Sequence, residues 1–330
     1  MASQITATER RGYNYIAIKT MSYKLREDET LGDGIRRICC EQIEGALVAS
    51  KTERNGEGSP VHETRKHLKK ARAALRLVSG EVGRDLFRRE NRRLRNVGRL
   101  ISEIRDAEVR LETVKQLREF SRPGRTQNLK EMEELLAFEL DSFLAAFSDW
   151  QWEAQTKLTR AHDRIAEWPV AGLDCEQMRR TVQKSYKRAR KSLKQATRKP
   201  AMKNFHALRK SGKELWYQLR ILRPLHPAIM KEPADDLKKI GEHLGHAHDL
   251  AFLAERLSTI TNRGGKRGQR ILSGLIDVQQ KELQRTAIAL AEKFYARRAK
   301  KFAGRISEYF SAWEAARFRS SVEAIALEAA

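Results

Sequence analysis

The sequence predicts an all-α fold of two four-helix bundles related by an internal pseudo-twofold repeat. Three observations carry this. Apolar residues recur with helical rather than alternating period, and only seven prolines interrupt the 330 residues. A helix opening Val61-His62-Glu63-Thr64-Arg65-Lys66 returns as Phe205-His206-Ala207-Leu208-Arg209-Lys210, its histidines 144 residues apart. A later segment, Leu94-Arg95-Asn96-Val97-Gly98 followed by Asp106, returns 143 residues on as Leu237-Lys238-Lys239-Ile240-Gly241 followed by Asp249. Even the loop Ser121-Arg122-Pro123-Gly124 has a counterpart near Asn262-Arg263-Gly264-Gly265. Segments that repeat in step make the chain two copies of one unit of roughly 140 residues. That period is far too long for a solenoid, so each copy is a whole subdomain.

Taken in order, residues 1–30 lack helical periodicity and form an N-terminal extension. The first bundle, 31–168, is predicted to hold helices over Leu31–Ser50, Val61–Ser79, Val82–Phe120 with a break near Asp106, and Leu129–Trp168. A linker follows over 169–175, where Pro169 and Gly172 stop one helix and Asp174 caps the next. The second bundle, 176–316, repeats the plan with helices over Glu176–Arg198, Met202–Leu222, Ala234–Thr261 and Gln269–Trp313. Residues 317–330 are expected to fray as a C-terminal tail.

Charge narrows the partner. Sixty-six Lys and Arg against 43 Asp and Glu give a formal net charge of +23, a field that attracts polyanions and speeds their encounter. The cations are concentrated. Residues 61–100 hold thirteen against four acids, and residues 174–224 hold sixteen against three, whereas residues 125–170 are net acidic. Cys39, Cys40 and Cys175 fit neither a disulfide framework nor a zinc spacing, which points to a reducing compartment. No apolar run approaches the ~18 residues of a membrane span. The opening residues do not read as a secretory signal. A soluble, cytoplasmic protein with no membrane partner and no cofactor is expected.

The repeated helix places its cations on one face. His62, Arg65, Lys69, Arg72 and Arg76 follow steps of three and four residues, as do His206, Arg209, Lys213, Trp216 and Arg220. The apolar set Val61, Leu68, Ala71, Leu75 and Val78 lies one residue around, so the cations border the core-facing stripe. A solvated amphipathic face would account for such a stripe, but it would normally carry acidic partners at i+4, and these cations largely lack them. Lys66 and Lys210 adjoin the stripe. The preceding helices add Arg36 and Arg37 in the first half, and Arg179, Arg180, Lys187, Arg190, Lys191 and Lys194 in the second. Two bundles that face these helices toward each other would make a basic groove or pore suited to a linear polyanion. Affinity there should fall steeply with salt as counterions are released. His62 and His206 would either touch the anion or hold a neighbouring arginine.

These residues resemble the CHAD domain, the conserved histidine α-helical domain. Its two repeats each carry His-x-x-Arg with following cations on one helix and a Leu-Gly-x-x-x-Asp type segment on a later one. Met21-Ser22-Tyr23-Lys24-Leu25, Gly34-Ile35-Arg36-Arg37, Leu244-Gly245-His246-Ala247-His248-Asp249 and the aromatic stretch from Phe294-Tyr295 through Tyr309 to Trp313 agree as well. The resemblance implies two four-helix bundles with a basic central surface that binds inorganic polyphosphate without enzymatic activity, and an association with polyphosphate granules. Carried over by position, it marks His62, Arg65, Lys69, Arg72 and Arg76, then His206, Arg209, Lys213 and Arg220. Trp216 stands where the family usually has a base, and Gly212 and Glu214 also depart from its pattern.

Two other functions compete. RNA or single-stranded DNA offers the same phosphate charge, although single-strand binders normally interleave aromatic platforms, and here the repeated basic helix interleaves only Trp216 and Tyr217 among its cations. A metal-dependent phosphohydrolase would use His243, His246, His248 and Asp249. Of these only Asp249 recurs in the first half, as Asp106, which favours a structural role for both aspartates.

Overall fold

The computed structural model describes residues 22–52, 58–119, 126–259 and 266–328. Among these residues the chain forms eleven α-helices and one short 3-10 turn, with no strand. The helices of the first half are α1 Leu31–Lys51, α2 Pro60–Leu77, α3 Arg84–Leu100, α4 Ser102–Glu119, α5 Thr126–Ala146 and α6 Trp150–Ala166. Those of the second half are α7 Cys175–Arg198, α8 Met202–Ile221, α9 Pro227–Thr259, α10 Lys266–Phe294 and α11 Ala299–Glu328. The paired loops expected near Ser121–Gly124 and Asn262–Gly265 lie outside the described residues, as do residues 1–21.

The helix starts are written in the sequence. Thr30 accepts from the Asp33 N–H at 3.2 Å, Ser59 from the His62 N–H at 3.0 Å with Pro60 in the first turn, and Asp174 from the Gln177 N–H at 2.6 Å. Internal breaks follow from tertiary geometry instead. A single helix over 129–168 would run about 60 Å. Its intended partner α1 has 21 residues and is about half that length. The chain therefore turns at 147–149, so that α5 packs on α4 and α6 on α1. The second half does the same at 295–298, which sends α10 along α9 and α11 along α7. The break expected near Asp106 falls earlier, at Ile101, and the tail expected to fray is helical to Glu328. In α9, Pro233 removes one backbone donor, and its would-be acceptor is the carbonyl of Ile229, an exposed residue.

Each half pairs its first two helices, α1 with α2 and α7 with α8, while α2 meets α8 and α4 meets α9 across the boundary. The hydrophobic core does not stop at that boundary. One cluster runs from Ile35, Ile38, Leu75 and Leu94 to Tyr186, Leu215, Leu219 and Ile240. A second joins Val114, Leu129 and Leu136 to Leu250, Leu253 and Ile276. The apolar set expected on the His-bearing helix, Val61 through Val78, is buried. The aromatic stretch packs as core too, with Tyr186 stacked on Phe302 at 4.4 Å and edge-on to Tyr295 at 5.1 Å.

Two segments between the helices are fastened. The linker buries Trp168, Val170 and Leu173. It also crosses so near the start of α1 that a Cβ on Gly32 would lie 1.9 Å from the Val170 carbonyl oxygen. The segment before α1 bridges both halves: the Tyr23 hydroxyl donates to the Lys70 carbonyl at 2.9 Å, and the Leu25 N–H donates to the Ile221 carbonyl at 3.2 Å.

Candidate polyanion cavity

Where α2 crosses α8, flanked by α4 and α9, the protein holds a cavity of about 540 Å³. Its lining divides into eleven positions of the first half and eleven of the second, matched one to one at the offsets of 144 and 143 residues read from the sequence. The first half contributes His62, Arg65, Lys66, Lys69, Arg72 and Arg76 from the predicted stripe, and the second His206, Arg209, Lys210, Lys213 and Arg220. In all, eleven Lys and Arg face three carboxylates, Asp106, Glu214 and Asp249, so the enclosed field is strongly positive.

Local contacts set the cations in place. The Ser59 hydroxyl that caps α2 also donates to buried Glu108 on α4 at 2.5 Å, which fixes the helix end that carries His62. Arg65 donates to the Ser102 carbonyl at 3.3 Å and lies 4.0 Å from Asp106. Arg105 is held by Glu108 at 3.1 Å and Glu112 at 3.2 Å. Arg72 donates to the Asn91 side chain of α3 at 2.9 Å, and Arg76 lies over the Phe87 ring at 5.1 Å. Across the cavity, Glu214 meets Arg76 at 2.9 Å and also pairs with Arg188 of α7. Trp216 is flanked by Lys213 at 5.7 Å and Arg220 at 5.1 Å from its ring centre. The His206 and His248 rings are 4.9 Å apart.

Crowding shifts the titrating groups. The Lys69 ammonium is open to the cavity but shielded from bulk water by its walls. That loss of solvent, with the charges of Arg65, Arg209, Lys213 and Arg105, brings it down to about 7. Lost solvation and the Arg220 and Lys66 charges bring Lys70 to about 8. Lys213 is lowered by desolvation and Arg209. His62 and His206 are lowered by desolvation and by Arg105 and Arg209 respectively, and His248 falls to about 4. The histidines are therefore neutral at pH 7, and each ring keeps one N–H that can donate to an anion. Asp106 and Asp249 are raised because burial outweighs the guanidinium charges beside them.

Several predicted cations are absent from the lining. Arg36 donates to the Trp168 carbonyl at 3.1 Å and pairs with Asp33 at 2.7 Å, so it fastens the linker. Arg37 is held by Glu29 at 2.6 Å and Glu41 at 2.8 Å and donates to the Lys24 carbonyl, so it fastens the segment before α1. Arg179 and Arg180 share Glu176 as their partner. Lys187, Lys191 and Lys194 are exposed on α7, and Arg190 is half-buried there, all outside the cavity. Sequence reading missed Lys70, Arg105 and Phe252. Arg105 and His248 stand at the same 143-residue offset that relates Asp106 to Asp249, so the sequence carries a signal for Arg105.

The alternative metal cluster does not assemble in this way. His248 and Asp249 face the cavity, but His243 and His246 do not line it. Among the described residues no group of three His, Cys, Asp or Glu side chains is placed to hold a metal ion. A second hollow of about 390 Å³ lies near Leu100 and Trp150, and its charges, Arg99 with Glu103, Asp149 and Glu153, are net acidic. No described helix is long and apolar enough to cross a membrane.

Comparison with known proteins places this architecture. The profile of the CHAD domain matches residues 41–258, more than half of the chain. The chain belongs to the CHAD domain family. Its fold is similar to the crystal structure of the CHAD domain from the plant Ricinus communis, with a TM-score of 0.55 and 17% sequence identity over 84% of this chain and 95% of that one. No curated protein matches the sequence.

Proposed function

We propose that the cavity binds inorganic polyphosphate as a long linear chain, without turning it over. The observation that carries this reading is the eleven-to-three excess of cations over carboxylates, with lysines driven below their ordinary range by lost solvation and then by neighbouring cations. Such a site is short of negative charge, and a chain of phosphates supplies it at every unit. Asp106 sits against Arg65 as local counter-charge, in keeping with a structural role. A protein that holds long chains in this way would gather on polyphosphate granules in the cytoplasm.

Single-stranded nucleic acid is the second reading, and Trp216, Tyr217 and Phe252 on the cavity wall favour it. Lys213 and Arg220 flank the Trp216 ring and compete with a base for stacking on it, which favours a ligand without bases. Calorimetric titration with long-chain polyphosphate, single-stranded DNA and duplex RNA, at matched phosphate concentration and physiological salt, tests the choice. Tightest binding is expected for polyphosphate. Equal affinity for all three would overturn it.

A further inference from the structure

The cavity accounts for only part of the first half's charge. Helix α3 carries Arg84, Arg88, Arg92 and Arg95 at steps of four, four and three, so they share one face and span about 16 Å. All four are exposed, and none forms an ion pair with a described residue. Uncompensated guanidinium groups in a row repel one another and weaken the free protein, which leaves the stripe without a structural reason.

Its position supplies one. Asn91 and Phe87, on the flank of that same face, touch Arg72 and Arg76 of the cavity wall. Arg95 is near enough for its charge to act on Arg72 and on Lys210. The arginine row therefore runs alongside the α2 wall, outside the cavity and level with its rim. The second half lacks the equivalent. At the 143-residue offset, Arg84, Arg88, Arg92 and Arg95 become Pro227, Lys231, Asp235 and Lys238. Four positive charges on one side correspond to a single net charge on the other.

We propose that α3 is an exterior track that carries the polyanion out of the cavity, on the first-half side alone, so that a bound chain is held asymmetrically. This rests on the reading of the cavity as a polyphosphate site and adds a direction to it. The track engages only chains longer than the cavity. Each phosphate contact it makes steepens the salt dependence by roughly the 0.7–0.9 per contact known for nucleic acids.

The test compares tripolyphosphate with long-chain polyphosphate on the full chain, using a variant with Arg84→Gln, Arg88→Gln and Arg92→Gln, which keeps Arg95 because its charge reaches the cavity. Glutamine preserves helix propensity on an exposed face, so folding is retained and circular dichroism checks it. Long-chain affinity is expected to fall by about tenfold or more, with a shallower salt slope, while tripolyphosphate affinity holds. The mirror variant, Lys231→Gln with Lys238→Gln, is expected to change neither. Unchanged long-chain affinity in the arginine variant would overturn the track, as would an equal loss in the mirror variant. Failure of the cavity reading has its own signature: Lys69→Glu with Lys213→Glu would then leave both ligands bound, and the track would lose its starting point.

Discussion

The two walls of the cavity are built at matched positions and have different chemistry. The α2 and α4 wall brings Lys70, Arg72 and Arg105, where the α8 and α9 wall has Glu214, Trp216 and His248. Small side chains on the first wall, Ala73 and Val109, correspond in position to aromatic ones on the second, Tyr217 and Phe252. Of the eleven cations, seven belong to the first wall and four to the second. Glu214 further reduces the second wall's field while tying Arg76 to α8. A shared backbone plan thus fixes where side chains point, and substitution decides which wall attracts the anion and which shapes the space around it.

Charge reversal is the strongest way to break this comparison. Lys69→Glu and Lys213→Glu together are expected to lower long-chain polyphosphate affinity by more than about a hundredfold, since each replaces an attraction with a repulsion inside the cavity. The exposed pair Lys130→Glu and Lys157→Glu should cost little. Taken singly, Lys69→Glu should cost more than Lys213→Glu, and calorimetry that finds them equal would mean the walls are equivalent. Trp216→Arg would sharpen the contrast by restoring the cation its counterpart Arg72 provides. Polyphosphate binding should tighten by about threefold to tenfold at low salt. Single-stranded DNA, read on the same variant by fluorescence anisotropy, should gain less or lose. A gain for both would make Trp216 a passive spacer.

The smallest effect is protonic. Lys69 titrates near 10.5 when unfolded and near 7 when folded, so between those values the unfolded chain holds a proton that the folded chain has released. Stability of the free protein should therefore climb as pH rises through that window. Binding works the other way: the anion favours the charged ammonium, so polyphosphate should bind with proton uptake near pH 8 and weaken as pH rises. Titrations in buffers of different ionisation heat measure that uptake, and a value of zero would remove Lys69 from contact.

Helix positions, the repeat and the His-bearing stripe were legible because each is periodic or local. Capping by Ser59 and Asp174 needs only residues three positions apart. Pairings set by tertiary contact were not legible. For Arg36 and Arg37 the partners Asp33 and Glu41 sit at helical spacing and were legible, whereas the Trp168 carbonyl, 132 residues away, and Glu29, in the segment before α1, were not. The turn at 147–149 carries no proline or glycine, so nothing local announced that a helix would stop there to match the length of α1. Trp216 was read as a lost base. Its ring lies within reach of Lys213 and Arg220, which the three- and four-residue steps of the stripe already place on its face; only the ring's orientation between them was not legible.

The continuous core, with the linker seated under Gly32 and Leu25 bonded to Ile221, has a consequence for how the fold comes apart. The two halves share one interior, so neither should hold its structure alone. Unfolding should accordingly be one cooperative event in which the two cavity walls are lost together. Neither wall can then be opened without loosening the other, so a destabilising substitution in one half should lower the binding of the whole cavity.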